Sequence, residues 1–106
     1  MANEVMWVTD PLGNTVALMQ GSCAPLKGHS AEEVYDDLAT VIRKPAMLVA
    51  SRQGSKQMFY FRSVGWHDTI LVTVQWHAER WETTSCIHNP TNVHLSELLR
   101  SGRQLI

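Results

Sequence analysis

The sequence predicts an α+β fold: one main helix packed on a twisted antiparallel sheet of about four strands, preceded by an N-terminal hairpin. Three observations carry this. Apolar residues recur at helical spacing through residues 30–43. They alternate at strand spacing through residues 46–87, and the switch falls at Pro45. Clusters of Gly, Pro, Asn and Ser punctuate the runs where a chain must reverse.

The elements follow in order. "VMWVTD", residues 5–10, is a short strand, and "PLGN" is a turn in which Pro sets φ and Gly accepts unusual φ. "TVALM", residues 15–19, returns as the second strand of a hairpin, and "QGSCAPLKG" is a loop. Ser30 with Glu33 three residues on forms a capping box, and Glu32 and Glu33 suit the positive end of a helix. Val34, Leu38, Val41 and Ile42 share one helical face, and Arg43, Lys44 and Pro45 end it. "AMLVASR" and "QMFYFRS" are strands joined by "QGSK". "TILVTVQWH", residues 69–77, is the strongest strand, with Ile70, Val72, Val74 and Trp76 on the core face and Leu71, Thr73, Gln75 and His77 on the other. The link "AE" leads into "RWETTSCI", residues 80–87, as a hairpin without the usual Asn-Gly turn. A short helical turn is expected at 95–100, ended by Gly102. Such a sheet buries one face on the helix and leaves the other open for a site.

The 106 residues suit a single domain, 1–106, with a modest core. With 44% hydrophobic and 18% charged residues, disorder is not expected. No apolar run approaches the ~20 residues that span a bilayer, so no membrane partner is expected. The N-terminus lacks the basic start and apolar stretch of a signal peptide. A cytoplasmic location follows as the default, with Cys23 and Cys86 as free thiols. The formal charge of −1 argues against a general nucleic-acid grip but leaves room for a local basic cleft.

Several residues are chemically suggestive. Cys86, His88 and His94 are three residues of two metal-ligating types, but their spacing matches no familiar zinc pattern, so neither metal nor cofactor is expected. His29 stands just before the helix cap, where free backbone N–H groups favour an anion, and imidazole titrates near pH ~6.5. Lys27 lies two residues earlier. Tyr60 and Arg62 share a strand face, and Thr84 shares one with Glu82, Cys86 and His88 by simple alternation. RNA cleavage by 2′-hydroxyl attack needs a base, an acid and a cation. His29, Tyr60 and Arg62 supply those types, and Glu82 can replace one of them. Trp66, in a turn, is available to stack on a base.

The order "VTDPLGNTVAL", "GHS", a helix ending "IRKP", "FYFRS", "ILVTVQW" and "WETTSCI" resembles the phage and polymorphic-toxin nucleases of the barnase–EndoU–colicin–RelE group. The likeness covers roughly residues 7–88. It implies a small, metal-independent endoribonuclease of toxin type, with tRNA one candidate substrate and an antitoxin or immunity protein as partner. It further implies action in the cytoplasm, of the producing or of a target cell. It places catalytic roles on His29, Tyr60, Arg62 and Thr84; beside these, Lys27 is read as helping Arg62 to offset the phosphate charge and Trp66 as binding RNA. Cys86 stands where the family carries an aromatic. The other reading of the sequence is a catalytically silent module of phage or bacterial origin that binds a protein through exposed Trp66 and Trp7.

Overall fold

The structure is a computed structural model that describes residues 4–23, 30–52, 56–65 and 68–106. Its elements in chain order are β1 (Glu4–Thr9), β2 (Thr15–Met19), α1 (Ala31–Arg43), β3 (Met47–Ser51), β4 (Gln57–Val64), β5 (Asp68–His77), β6 (Arg80–His88), α2 (Asn92–Ser101) and β7 (Gly102–Gln104). The seven strands form one mixed sheet in the order β1-β2-β6-β5-β4-β3-β7. This corrects the expectation of one helix on four antiparallel strands. The predicted hairpin joins the meander: β2 pairs in parallel with β6 through Val16–Trp81 and Ala17–Glu82. The tail contributes β7, which pairs with β3.

The helices form where local chemistry favours them. Ser30 caps α1, its hydroxyl accepting from Glu33 N at 3.2 Å. Thr91 caps α2 by accepting from His94 N at 3.1 Å. That cap makes α2 a full helix where the sequence suggested a short turn. The β5–β6 hairpin turns through Ala78 and Glu79, both at positive φ (51° and 65°). This is the turn that matches strand twist, here made without the glycine that adopts it at least cost.

The two helices cover opposite faces of the sheet. Val34, Leu38, Val41 and Ile42 of α1 pack on Leu48, Met58, Tyr60, Ile70, Val72 and Val74, with Val8, Val16 and Leu18 from the hairpin. On the other face Leu98 of α2 packs with Val49 and Leu71, flanked by Phe59, Phe61 and Ile87. The face expected to be open is therefore partly covered, while Gln75 and His77 at its β5–β6 end and Trp7 on β1 are exposed. Trp76 is a further correction. Alternation places it in the core, but it lies two residues past Val74, the last residue of that row in the core, and is 37% exposed.

Cys23 and Cys86 form a disulfide, with Cα atoms 5.3 Å apart across a sequence separation of 63. The expectation of two free thiols is thereby overturned. The sheet order explains the meeting: β2 lies beside β6, so the chain leaving β2 passes the strand that carries Cys86. A Cα separation of this size is within the range a disulfide spans.

Candidate active-site cleft

The structure separates the residues grouped by the sequence. His29, Lys27 and Trp66 lie outside the described residues. Tyr60 is fully buried beneath α1 rather than on an open face. Both faces of β4 are apolar in sequence, so alternation alone does not reveal which of them meets solvent. The Tyr60 hydroxyl donates to Asp10 Oδ2 at 2.6 Å. Burial first, then that hydrogen bond and the negative charge, raise the phenol far above its ordinary range and keep it protonated. Asp10 also accepts from Leu12 N, Asn14 N and Asn14 Nδ2 at 2.9, 2.8 and 2.9 Å. Tyr60 thus holds the β1–β2 turn to the core.

Arg62 also has a structural partner. Its Nη1 donates to the Lys44 carbonyl at 2.7 Å, satisfying the negative C-terminal end of α1. Ser30 caps the opposite end of this 13-residue helix, roughly 20 Å away at 1.5 Å per residue. A cleft uniting the start of α1 with Arg62 would have to span the helix.

Thr84 lies elsewhere, beside a cleft with its own polar groups. The β5–β6 register shifts between Thr73 and Val74, because Thr73 pairs with Ser85 and Val74 with Thr83. Thr84 is the extra residue of this bulge, exposed, its hydroxyl donating to Thr73 O at 3.2 Å. The bulge resets the alternation that the sequence suggested. Glu82 now pairs with Gln75 on one face, while Cys86 pairs with Val72 on the other.

The cleft opens where β2 and β6 part after their two paired positions. Past that point side chains replace the backbone ladder. Buried Thr83 accepts from Met19 N at 2.8 Å, and its hydroxyl lies 2.8 Å from Ser22 Oγ. Gly21, Ser22, Gln75, His77, Glu82 and Thr84 are among the lining residues. His77 faces Arg80 directly across the hairpin, and Glu82 is one pair further on beside Gln75. His77 and Glu82 are thus diagonal neighbours on one face, roughly 7–8 Å apart at the backbone and within side-chain reach. Arg80 donates to Glu82 Oε2 at 3.3 Å and to Glu4 Oε2 at 3.4 Å. Its guanidinium lies 5.4 Å from the centre of the Trp7 ring. Residues 24–29, which include Lys27 and His29, follow in the chain directly after the cleft-lining Ser22 and the bridged Cys23.

His77, Arg80 and Glu82 are the residues that sequence reasoning did not bring together. The available signal was the two-residue "AE" link. A tight hairpin at 78–79 sets His77 opposite Arg80, and the next same-face position on β6 is Glu82. Nearby, Trp76 and Trp81 pack edge to face at 5.3 Å, with Lys56 5.5 Å from the Trp76 ring. Trp7 is 45% exposed on β1, a strand at the end of the sheet order. No protein-family model, curated protein or solved structure matches the chain.

Proposed function

We propose that this protein is a small endoribonuclease of toxin type whose chemistry lies in the β2–β6 cleft. The observation that carries the reading is the convergence of a carboxylate, an imidazole and a guanidinium at one end of the β5–β6 hairpin: Glu82, His77 and Arg80. These are the three types that 2′-hydroxyl attack needs. Glu82 takes the 2′-hydroxyl proton as its oxygen attacks the adjacent phosphorus. His77, in its protonated form, gives a proton to the departing 5′-oxygen. The products are a 2′,3′-cyclic phosphate and a free 5′-hydroxyl. Arg80 offsets the charge that builds on the phosphoryl oxygens. Thr84 and Gln75 line the same cleft and position the phosphate. His29 belongs to this reading through the resemblance, and Lys27, two residues before it in the chain, is read as a further cation for the phosphate.

A second reading has its own observation. Val5 and Trp7 are 46% and 45% exposed on β1, at the end of the sheet order. An edge strand that, among the described residues, has no neighbour on its outer side and carries an exposed tryptophan beside an arginine suits an extended segment of a protein partner, such as an immunity protein, added as a further strand. One experiment separates the two. Purified wild type, Glu82→Gln and Trp7→Ala are incubated with total RNA and tRNA, and product ends are identified. The nuclease reading expects cyclic-phosphate ends from wild type and their loss in Glu82→Gln. Intact RNA with folded wild type would leave the binding module as the better account.

A further inference from the structure

The disulfide has a third neighbour that a disulfide does not need. His88 Nε2 lies 3.7 Å from Cys23 Sγ and 3.8 Å from Cys86 Sγ, nearly equidistant from the two sulfurs. All three ligand atoms fall within 4.8 Å of one another. Cys86 and His88 are two apart on β6, so strand alternation puts them on one face. Cys23 is the ligand that the sequence hides, brought 63 positions along the chain to the same point. A bridging sulfur is a weak acceptor, so hydrogen bonding alone does not explain an imidazole nitrogen aimed between two of them.

The same three atoms have the spacing of a metal-ligand set. Zinc binds sulfur at ~2.3 Å and imidazole nitrogen at ~2.0–2.1 Å in tetrahedral geometry, which sets a sulfur and a nitrogen about 3.6 Å apart. The two observed distances lie close to that value. The sulfurs themselves would stand about 3.8 Å apart around zinc, so opening the bridge requires them to separate by less than ~2 Å. We propose that, once reduced, Cys23, Cys86 and His88 hold one thiophilic divalent cation, with zinc the expected ion. Nothing in this depends on the nuclease reading.

A dithiol reductant supplies two electrons and two protons, the S–S bond breaks, and the reductant becomes its own disulfide. Zinc then displaces one proton from each thiol and accepts the lone pair of His88 Nε2, with the imidazole proton on Nδ1. Water fills the fourth position. Cys23 follows directly on Ser22, a residue of the cleft rim. The site therefore fastens the same rim in both redox states, by a covalent bond when oxidised and by a metal when reduced.

The test uses the whole chain with zinc alone and cobalt alone as probes. The protein is reduced and freed of reductant under anaerobic conditions. Zinc binding is measured by calorimetry and cobalt binding by its sulfur-to-metal charge-transfer absorption, with circular dichroism reporting the fold. Reduced wild type is expected to bind one zinc per chain, and the oxidised protein none at this site. His88→Ala should still form the 23–86 bridge on oxidation. When reduced, it should bind zinc at least ~100-fold more weakly, beyond the 10–100-fold typical of losing an outer-shell partner. If the reduced chain unfolds, zinc should restore the fold. The proposal is overturned if reduced wild type neither binds nor is refolded by zinc. It is equally overturned if His88→Ala binds zinc as tightly as wild type.

Discussion

Replacing Tyr60 with Phe tests whether the hydroxyl secures the β1–β2 turn. The ring is fully buried and Phe fills the same space, so no cavity forms. What is lost is one 2.6 Å hydrogen bond to the Asp10 carboxylate, itself 4% exposed. Hydrogen bonds to charged groups contribute roughly 1.5–3 kcal/mol, and among the described residues the oxygen left behind keeps Asn14 Nδ2 as its donor. Tyr60→Phe should therefore destabilise the fold by about 2 kcal/mol. At roughly 4–8 °C per kcal/mol for a domain of this size, Tm should fall by about 10 °C. Urea unfolding should give a lower midpoint with an unchanged slope. Alkali supplies an independent reading. The folded phenol is held protonated far above its unfolded value near 10. The stability this group contributes is thus fully present below about pH 10. Above that pH the unfolded chain releases a proton that the folded chain keeps, so stability falls by roughly 1.4 kcal/mol per pH unit. The difference in slope between wild type and Tyr60→Phe isolates this group from the other bases. A change below about 0.5 kcal/mol at neutral pH, with no difference in alkaline slope, would show that the Tyr60 hydroxyl does not secure the turn.

Two further outcomes follow from the sheet. A Cβ at Gly102 would press into Val49 and lie 2.9 and 3.0 Å from the Leu98 and Ala50 carbonyl oxygens. Gly102→Ala should therefore cost about 1–3 kcal/mol by overpacking, read by urea unfolding and by faster amide exchange in β7. Reducing the 23–86 bridge in the presence of a chelator should lower stability by up to about 4 kcal/mol, the loop-closure value for a separation of 63. Identical unfolding midpoints with and without reductant would contradict the bond.

The parts of the fold legible in the sequence are those written by local chemistry. Ser30, the Val34–Ile42 face and Pro45 mark α1 because capping and helical period act within a few residues. The β3–β6 meander was equally legible, since each strand pairs with the next in the chain. What escaped was non-local. The parallel β2–β6 contact rests on two residue pairs and the Thr83 side chain, and no local pattern encodes it. Cys23 and Cys86 meet as a consequence of that same crossover. Thr84 shows how one inserted residue defeats alternation: the bulge sends Glu82 and Cys86 to opposite faces although both are even-numbered. Tyr60 and Arg62 share one face, opposite Val72 and Ile70 of β5, as the alternation predicts. Their roles were hidden because the partners, Asp10 and the Lys44 carbonyl, are 50 and 18 positions away. No helix among the described residues is long and apolar enough to cross a membrane, in keeping with the sequence.

Glu82 and His77 are the residues proposed to move protons in the β2–β6 cleft. The most direct measurement is the single-turnover rate of RNA cleavage by wild type, Glu82→Gln and His77→Ala, with circular dichroism showing that each variant is folded. Removing a general acid or base typically costs ~10²–10⁴ in rate. Each variant should lose activity by that amount, and wild-type products should carry 2′,3′-cyclic phosphate and 5′-hydroxyl ends. Wild-type rates in both folded variants would show that neither Glu82 nor His77 transfers a proton in cleavage.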